Sequence, residues 1–82
     1  MLAKVIYAQP WGNPNKFEEF EYHAESEKEA AALDEVFRQF NHVDGTEFVA
    51  KLPIRSFSVG DSVFFPDSGN RFLCEPIGWK KI

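Results

Sequence analysis

The chain has 82 residues, 44% of them hydrophobic and 27% charged, with a formal net charge of −4. Those values describe one globular domain spanning 1–82, with no low-complexity tract and too little chain for a second core. One cysteine, Cys74, excludes an internal disulfide, and the acidic balance argues against the basic face that a nucleic-acid binder normally shows.

A lone cysteine agrees with a reducing compartment. No apolar run in MLAKVIYAQPWG or beyond has the length of a signal peptide or a bilayer span, so a cytoplasmic location is expected. The charge is unevenly placed: residues 1–41 hold eight acids against four bases, and residues 42–82 hold five of each. All eight acids of the first half fall between Glu18 and Glu35, where Lys28 is the one base. Such a run is either a solvated face or a surface for a basic partner.

Taken in chain order, LAKVIYAQ (2–9) alternates weakly and is rich in β-branched and aromatic residues, which predicts a strand. PWGNPN (10–15) is loop chemistry. From Phe20 onward the next segment alternates, with Phe20, Tyr22 and Ala24 on one face and Glu19, Glu21, His23 and Glu25 on the other. That pattern predicts a half-buried strand with an acidic outer face, paired with the first as an antiparallel hairpin.

A helix is expected over about 27–41. Ser26 and Glu29 have the spacing of a capping box. Ala30, Leu33, Phe37 and Phe40, with Val36 beside them, form an apolar stripe. Gly45 follows the expected end.

The remainder is β-rich. TEFVAKL (46–52) is a strand candidate that stops at Pro53. In RSFSVGDSVFF (55–65), Gly60 suits a tight turn that launches a strand, and the Asp61 side chain can bond nearby amides to fix that turn. Val63 and Phe65 then face one way and Ser62 and Phe64 the other, so this strand is covered on both faces or lies against a partner. PDSGN (66–70) is hairpin-turn chemistry, RFLCE (71–75) pairs back, and GWKKI closes the chain. The expected fold class is α+β: an N-terminal β-hairpin, one amphipathic helix, then a small curled antiparallel, barrel-like sheet.

The segment Arg55-Ser56-Phe57-Ser58-Val59-Gly60-Asp61-Ser62-Val63, a short hairpin and the terminal Gly78-Trp79 resemble a C-terminal signature of small domains from phages, plasmids and conjugative elements, some grouped as YodL-like. That signature has Arg-Ser-Leu-Ser-x-Gly-Asp-x-Val, so Phe57 stands in place of Leu, and Pro76 is an addition. The resemblance covers residues 55–79. It implies a mobile-element origin and no particular chemistry.

Nothing in the sequence announces catalysis. His23, His42 and Cys74 have no metal-ligand spacing. No serine sits in a nucleophile elbow or triad pattern, and no phosphate-loop or dinucleotide fingerprint is present, so neither an enzyme nor a cofactor is expected. His23 on the acidic strand face suits solvation, and Cys74 suits a small buried hydrophobe.

Binding residues are the better candidates. Trp11, in its Pro- and Asn-rich loop, is either tucked onto the hairpin or a contact residue. Trp79 suits core or barrel closure as well as binding. Lys51, Arg55, Arg71, Lys80 and Lys81 could share a face. The expected partner is a protein, including a second copy of the chain, because Phe17, Phe48, Phe57, Phe64, Phe65, Phe72, Trp11 and Trp79 exceed what the helix stripe and the Phe20–Tyr22 face can cover. The edge of TEFVAKL offers one pairing geometry for a homo-oligomer. A nucleic-acid-binding barrel, with Arg55, Arg71, Lys80 and Lys81 beside exposed Phe rings as stacking platforms, is the alternative.

Overall fold

The computed structural model describes residues 1–8, 17–41 and 57–82. Gly45, the strand expected over 46–52 and the loop 10–15 lie outside them. The described residues form an α+β unit: β1 (Leu2–Ala8), β2 (Phe17–His23), α1 (Glu29–Gln39), β3 (Ser62–Phe65), β4 (Asn70–Cys74) and β5 (Trp79–Lys81).

The expected hairpin is present, with β1 and β2 antiparallel in the register Val5 to Phe20. It is not a separate unit. β3 pairs with the other side of β1, opposite Val5 at Val63, and β4 and β5 continue outward. The result is a single five-stranded antiparallel sheet in the order β2-β1-β3-β4-β5. Among the described residues it does not close, so the barrel-like curl expected of the C-terminal strands is there an open sheet with β2 and β5 at its ends.

Alternation sends every second side chain to the helix. Ala3, Val5, Tyr7, Val63, Phe65 and Cys74 are buried there, against Ala32, Leu33, Val36 and Phe40 of the helical segment and Phe57 before the turn. A chain of rings runs through this layer. The Tyr22 and Phe40 centroids are 5.7 Å apart, Phe40 and Tyr7 6.4 Å, Tyr7 and Phe57 5.7 Å, and Phe57 and Trp79 5.7 Å. Several pairs are edge to face, the arrangement favoured by the ring quadrupole. The core thus takes in Phe57 and Phe65, with Phe72 and Trp79 packed against it, which removes four rings from the surplus expected of the sequence.

Two helix expectations need correcting. Phe37 and Ala30 are not in the core: Phe37 is 45% exposed and Ala30 is exposed, while Ala32 is buried. At 3.6 residues per turn the buried stripe centres between Val36 and Phe40, which leaves Phe37 and Ala30 at its margin. The capping box does not form either. The helix begins at Glu29 with Lys28 as N-cap and no side-chain cap, and Ser26 Oγ instead accepts the Lys28 amide at 3.1 Å. Glu29 turns away to the β3–β4 hairpin, where its carboxylate accepts from the Ser68 hydroxyl and, at 2.9 Å, from the Asn70 side-chain amide.

A second carboxylate ties the helix to the hairpin. Glu35 accepts from the Tyr22 hydroxyl at 2.6 Å and from the Glu25 amide at 3.0 Å. Burial alone would raise its pKa, but the bonds from Tyr22 and from the Glu25 and Ser26 amides, with the Arg38 charge, outweigh it and hold Glu35 below its ordinary 4.5. Glu29 is held low chiefly by Ser68 and then Asn70. Tyr22 is pushed up, first by burial and then by Glu35.

Both carboxylates are favoured in their charged form by folding, so as pH falls the unfolded chain takes up protons first. Their contribution is complete above the ordinary value of 4.5 and is lost as the pH drops through the lowered ones. Denaturation midpoints taken from neutral pH down into the acid range should therefore fall less steeply in the double variant Glu29→Gln/Glu35→Gln than in the wild type. Identical slopes would remove these two contacts as the acid-labile ties.

Candidate interaction surface

The turn of RSFSVGDSVFF is structural. Gly60 has φ +97°, a conformation that L side chains rarely adopt. Asp61 is 1% exposed, and its carboxylate accepts the Ser58 amide at 2.9 Å and the Ala8 amide at 2.9 Å. Its backbone carbonyl accepts the Cys74 amide, whose own carbonyl accepts the Gly60 amide. The bond to Ser58 is the local turn contact that the sequence suggested; the bond to Ala8 also ties the end of β1 to the turn, and the adjoining backbone bonds join that turn to β4. Cys74 is buried, and burial first, then the Asp61 charge, pushes its thiol above the ordinary range. That is the opposite of an activated nucleophile.

The sheet face turned away from the helix is where the remaining candidates meet. Register sets the side chains of Glu19, Ile6, Ser62, Leu73 and Lys80 side by side in one row across the five strands. Glu21, Lys4, Phe64 and Arg71 form the next row, and Leu2 lies beside His23 in a third. Leu2, Ile6, Phe64 and Leu73 are half-buried and belong to no part of the core cluster. Glu19, Glu21 and His23 at one end, and Arg71 and Lys80 at the other, are exposed.

The face is therefore apolar in the middle, acidic on β2 and basic on β4 and β5. The Arg71 guanidinium carbon stands 5.3 Å from the Phe64 ring centre, a cation–π contact between neighbouring strands.

Of the binding residues expected from sequence, the structure brings Arg71 and Lys80 together on this face. Trp79, one residue from Lys80, points to the opposite side and stacks on Phe57. Lys81 shares that side, near Glu29. Trp11 and Arg55 lie outside the described residues. Sequence reading passed over Leu2, Ile6 and Leu73, yet the signal was there: a strand with Leu2 and Ile6 on one face and Val5 and Tyr7 on the other is apolar on both sides.

A second concavity of about 560 Å³ lies between α1 and the β4–β5 strands, lined by Glu29, Ala30, Leu33, Asp34, Phe72 and Trp79. Glu29, one of its two carboxylates, is already committed to Ser68 and Asn70. Among the described residues no cluster of three His, Cys, Asp or Glu side chains could hold a metal ion, and no helix is long and apolar enough to cross a membrane.

Comparison with known proteins gives no match: no family model matches the sequence, and neither does a curated protein or a solved structure.

Proposed function

We propose that this chain is a non-enzymatic protein-interaction module that binds through the sheet face opposite the helix. The observation that carries the reading is the apolar stripe of Leu2, Ile6, Phe64 and Leu73 set between an acidic and a basic strand. A solvated sheet face alternates to polar residues, and an apolar centre with a charged rim is the anatomy of an interface. The free, buried Cys74 suits a cytoplasmic setting. The resemblance of residues 55–79 to mobile-element domains supports a phage or plasmid origin, for which capsid, replication or transfer genes beside its own are the check.

The test is affinity capture with the wild-type chain and with Phe64→Thr/Leu73→Thr, which puts strand-favouring threonines in their place but removes the apolar centre. Proteins held by the wild type should be lost from the variant while both give the same far-ultraviolet circular dichroism. Retention unchanged by the variant would take the interface away from this face. Capture of single-stranded nucleic acid instead, falling steeply with salt, would turn the reading to the nucleic-acid alternative.

A further inference from the structure

Resting on that reading of the face, we infer that its partner is a second copy of the chain, packed face to face about a two-fold axis parallel to the strands. The choice of axis follows from sheet order and charge. β3 is the central strand of five, so an axis lying over β3 and along it exchanges β1 with β4 of the second copy, and β2 with β5. Glu19 on β2 then lies over Lys80 of the second copy, and the same contact recurs on the other side of the axis. Ile6 on β1 meets Leu73 of the second copy. Phe64 lies on the axis and meets its own copy.

The alternative two-fold axis, in the same plane but across the strands, sets β2 on β2 and β5 on β5. Acids would then face acids and bases would face bases. Of the two ways to stack this face on itself, the polarity of Glu19 and Glu21 against Arg71 and Lys80 selects one. The favoured arrangement does place Lys4 in the row of Arg71 of the second copy. Glu21 is the cross-strand neighbour of Lys4, and its carboxylate is available to sit between the two cations.

Aligned sheets pack about 10 Å apart with their strands within about 30° of each other, which suits two open antiparallel sheets. Five strands at about 4.8 Å spacing give a face roughly 20 Å wide. That puts the interface at the small end of specific ones, below about 1,200 Å² in total. The dimer is therefore expected to form and dissociate in the micromolar range.

Sedimentation equilibrium over the micromolar range, on the whole chain, decides the matter. The wild type should rise with concentration toward twice the 9.4 kDa chain mass. Reversing the acidic strand, Glu19→Lys/Glu21→Lys, and separately the basic strands, Arg71→Glu/Lys80→Glu, should each raise the dissociation constant at least tenfold. An equimolar mixture of the two variants should regain the wild-type mass, since every reversed charge then meets its opposite. The altered residues are exposed, and circular dichroism of each variant confirms that it is folded.

A wild-type mass that stays at one chain throughout overturns the second-copy inference while leaving the face open to a different protein. A wild-type dimer that survives both reversals and Phe64→Thr/Leu73→Thr overturns the inference and the interaction face together. A dimer that weakens in the variants but is not regained in the mixture overturns the acid-over-base arrangement.

Discussion

Phe40→Ala should cost about 3–5 kcal/mol, the usual range for removing a fully buried ring. In a domain of this size each kcal/mol moves the midpoint by roughly 4–8 °C, so the thermal midpoint should drop by more than about 10 °C. Phe40 is fully buried and touches rings from both strands of the hairpin, at 5.7 Å to Tyr22 and 6.4 Å to Tyr7 and to Phe20. Its carbonyl also accepts the Phe57 amide at 2.8 Å. The contrast is Phe37→Ala one turn earlier. That ring is 45% exposed and meets Phe57 edge-on at 6.4 Å, so its removal should cost about 1 kcal/mol, given about 1.5–3 for a fully buried side chain. Thermal melts of both variants make the comparison. Equal losses would place the helix stripe where its sequence alone suggests, through Phe37.

Asp61→Ala should be nearly as damaging, by a different cause. It deletes the acceptor for the Ser58 and Ala8 amides at a site that is 1% exposed. Losing the acceptor of a partly buried amide costs about 1–3 kcal/mol, so a loss of about 2 kcal/mol is expected in urea unfolding. Asp61→Asn keeps the shape and one acceptor oxygen but replaces the other with a donor, so it should fall in between. If Asp61→Asn and Asp61→Ala were equally mild, the carboxylate would not be what closes the turn.

The local features of this fold are legible in the sequence because their causes are local. Helical periodicity around Leu33 and Phe40, the positive-φ glycine before Asp61 and the Pro-Asp-Ser-Gly-Asn hairpin each depend on residues a few positions apart. What was not legible depends on distant partners. Glu29 could have capped its own helix, but Ser68 and Asn70, brought in by another hairpin, compete for the same carboxylate. The phase of the helix stripe is set by the ring layer it meets, so Phe37 and Ala30 fell just outside. Sheet order was hidden for the same reason: nothing near Leu2–Ala8 shows that its second neighbour is Ser62–Phe65. The interaction face depends on that order, since Arg71 and Phe64 become neighbours only once β3 and β4 pair.

The pairing of β1 with β3 also governs how the molecule is made. Val5 must find Val63, well over half the chain away, whereas β1–β2, β3–β4 and β4–β5 each join strands consecutive in sequence. Closing so long a loop comes before any contact that rewards it, which slows folding relative to a helical chain of equal size. During synthesis the N-terminal hairpin and helix leave the ribosome before the strand that completes their sheet emerges. For that interval one edge of β1 offers unpaired amides, the condition in which nascent chains aggregate or recruit chaperones.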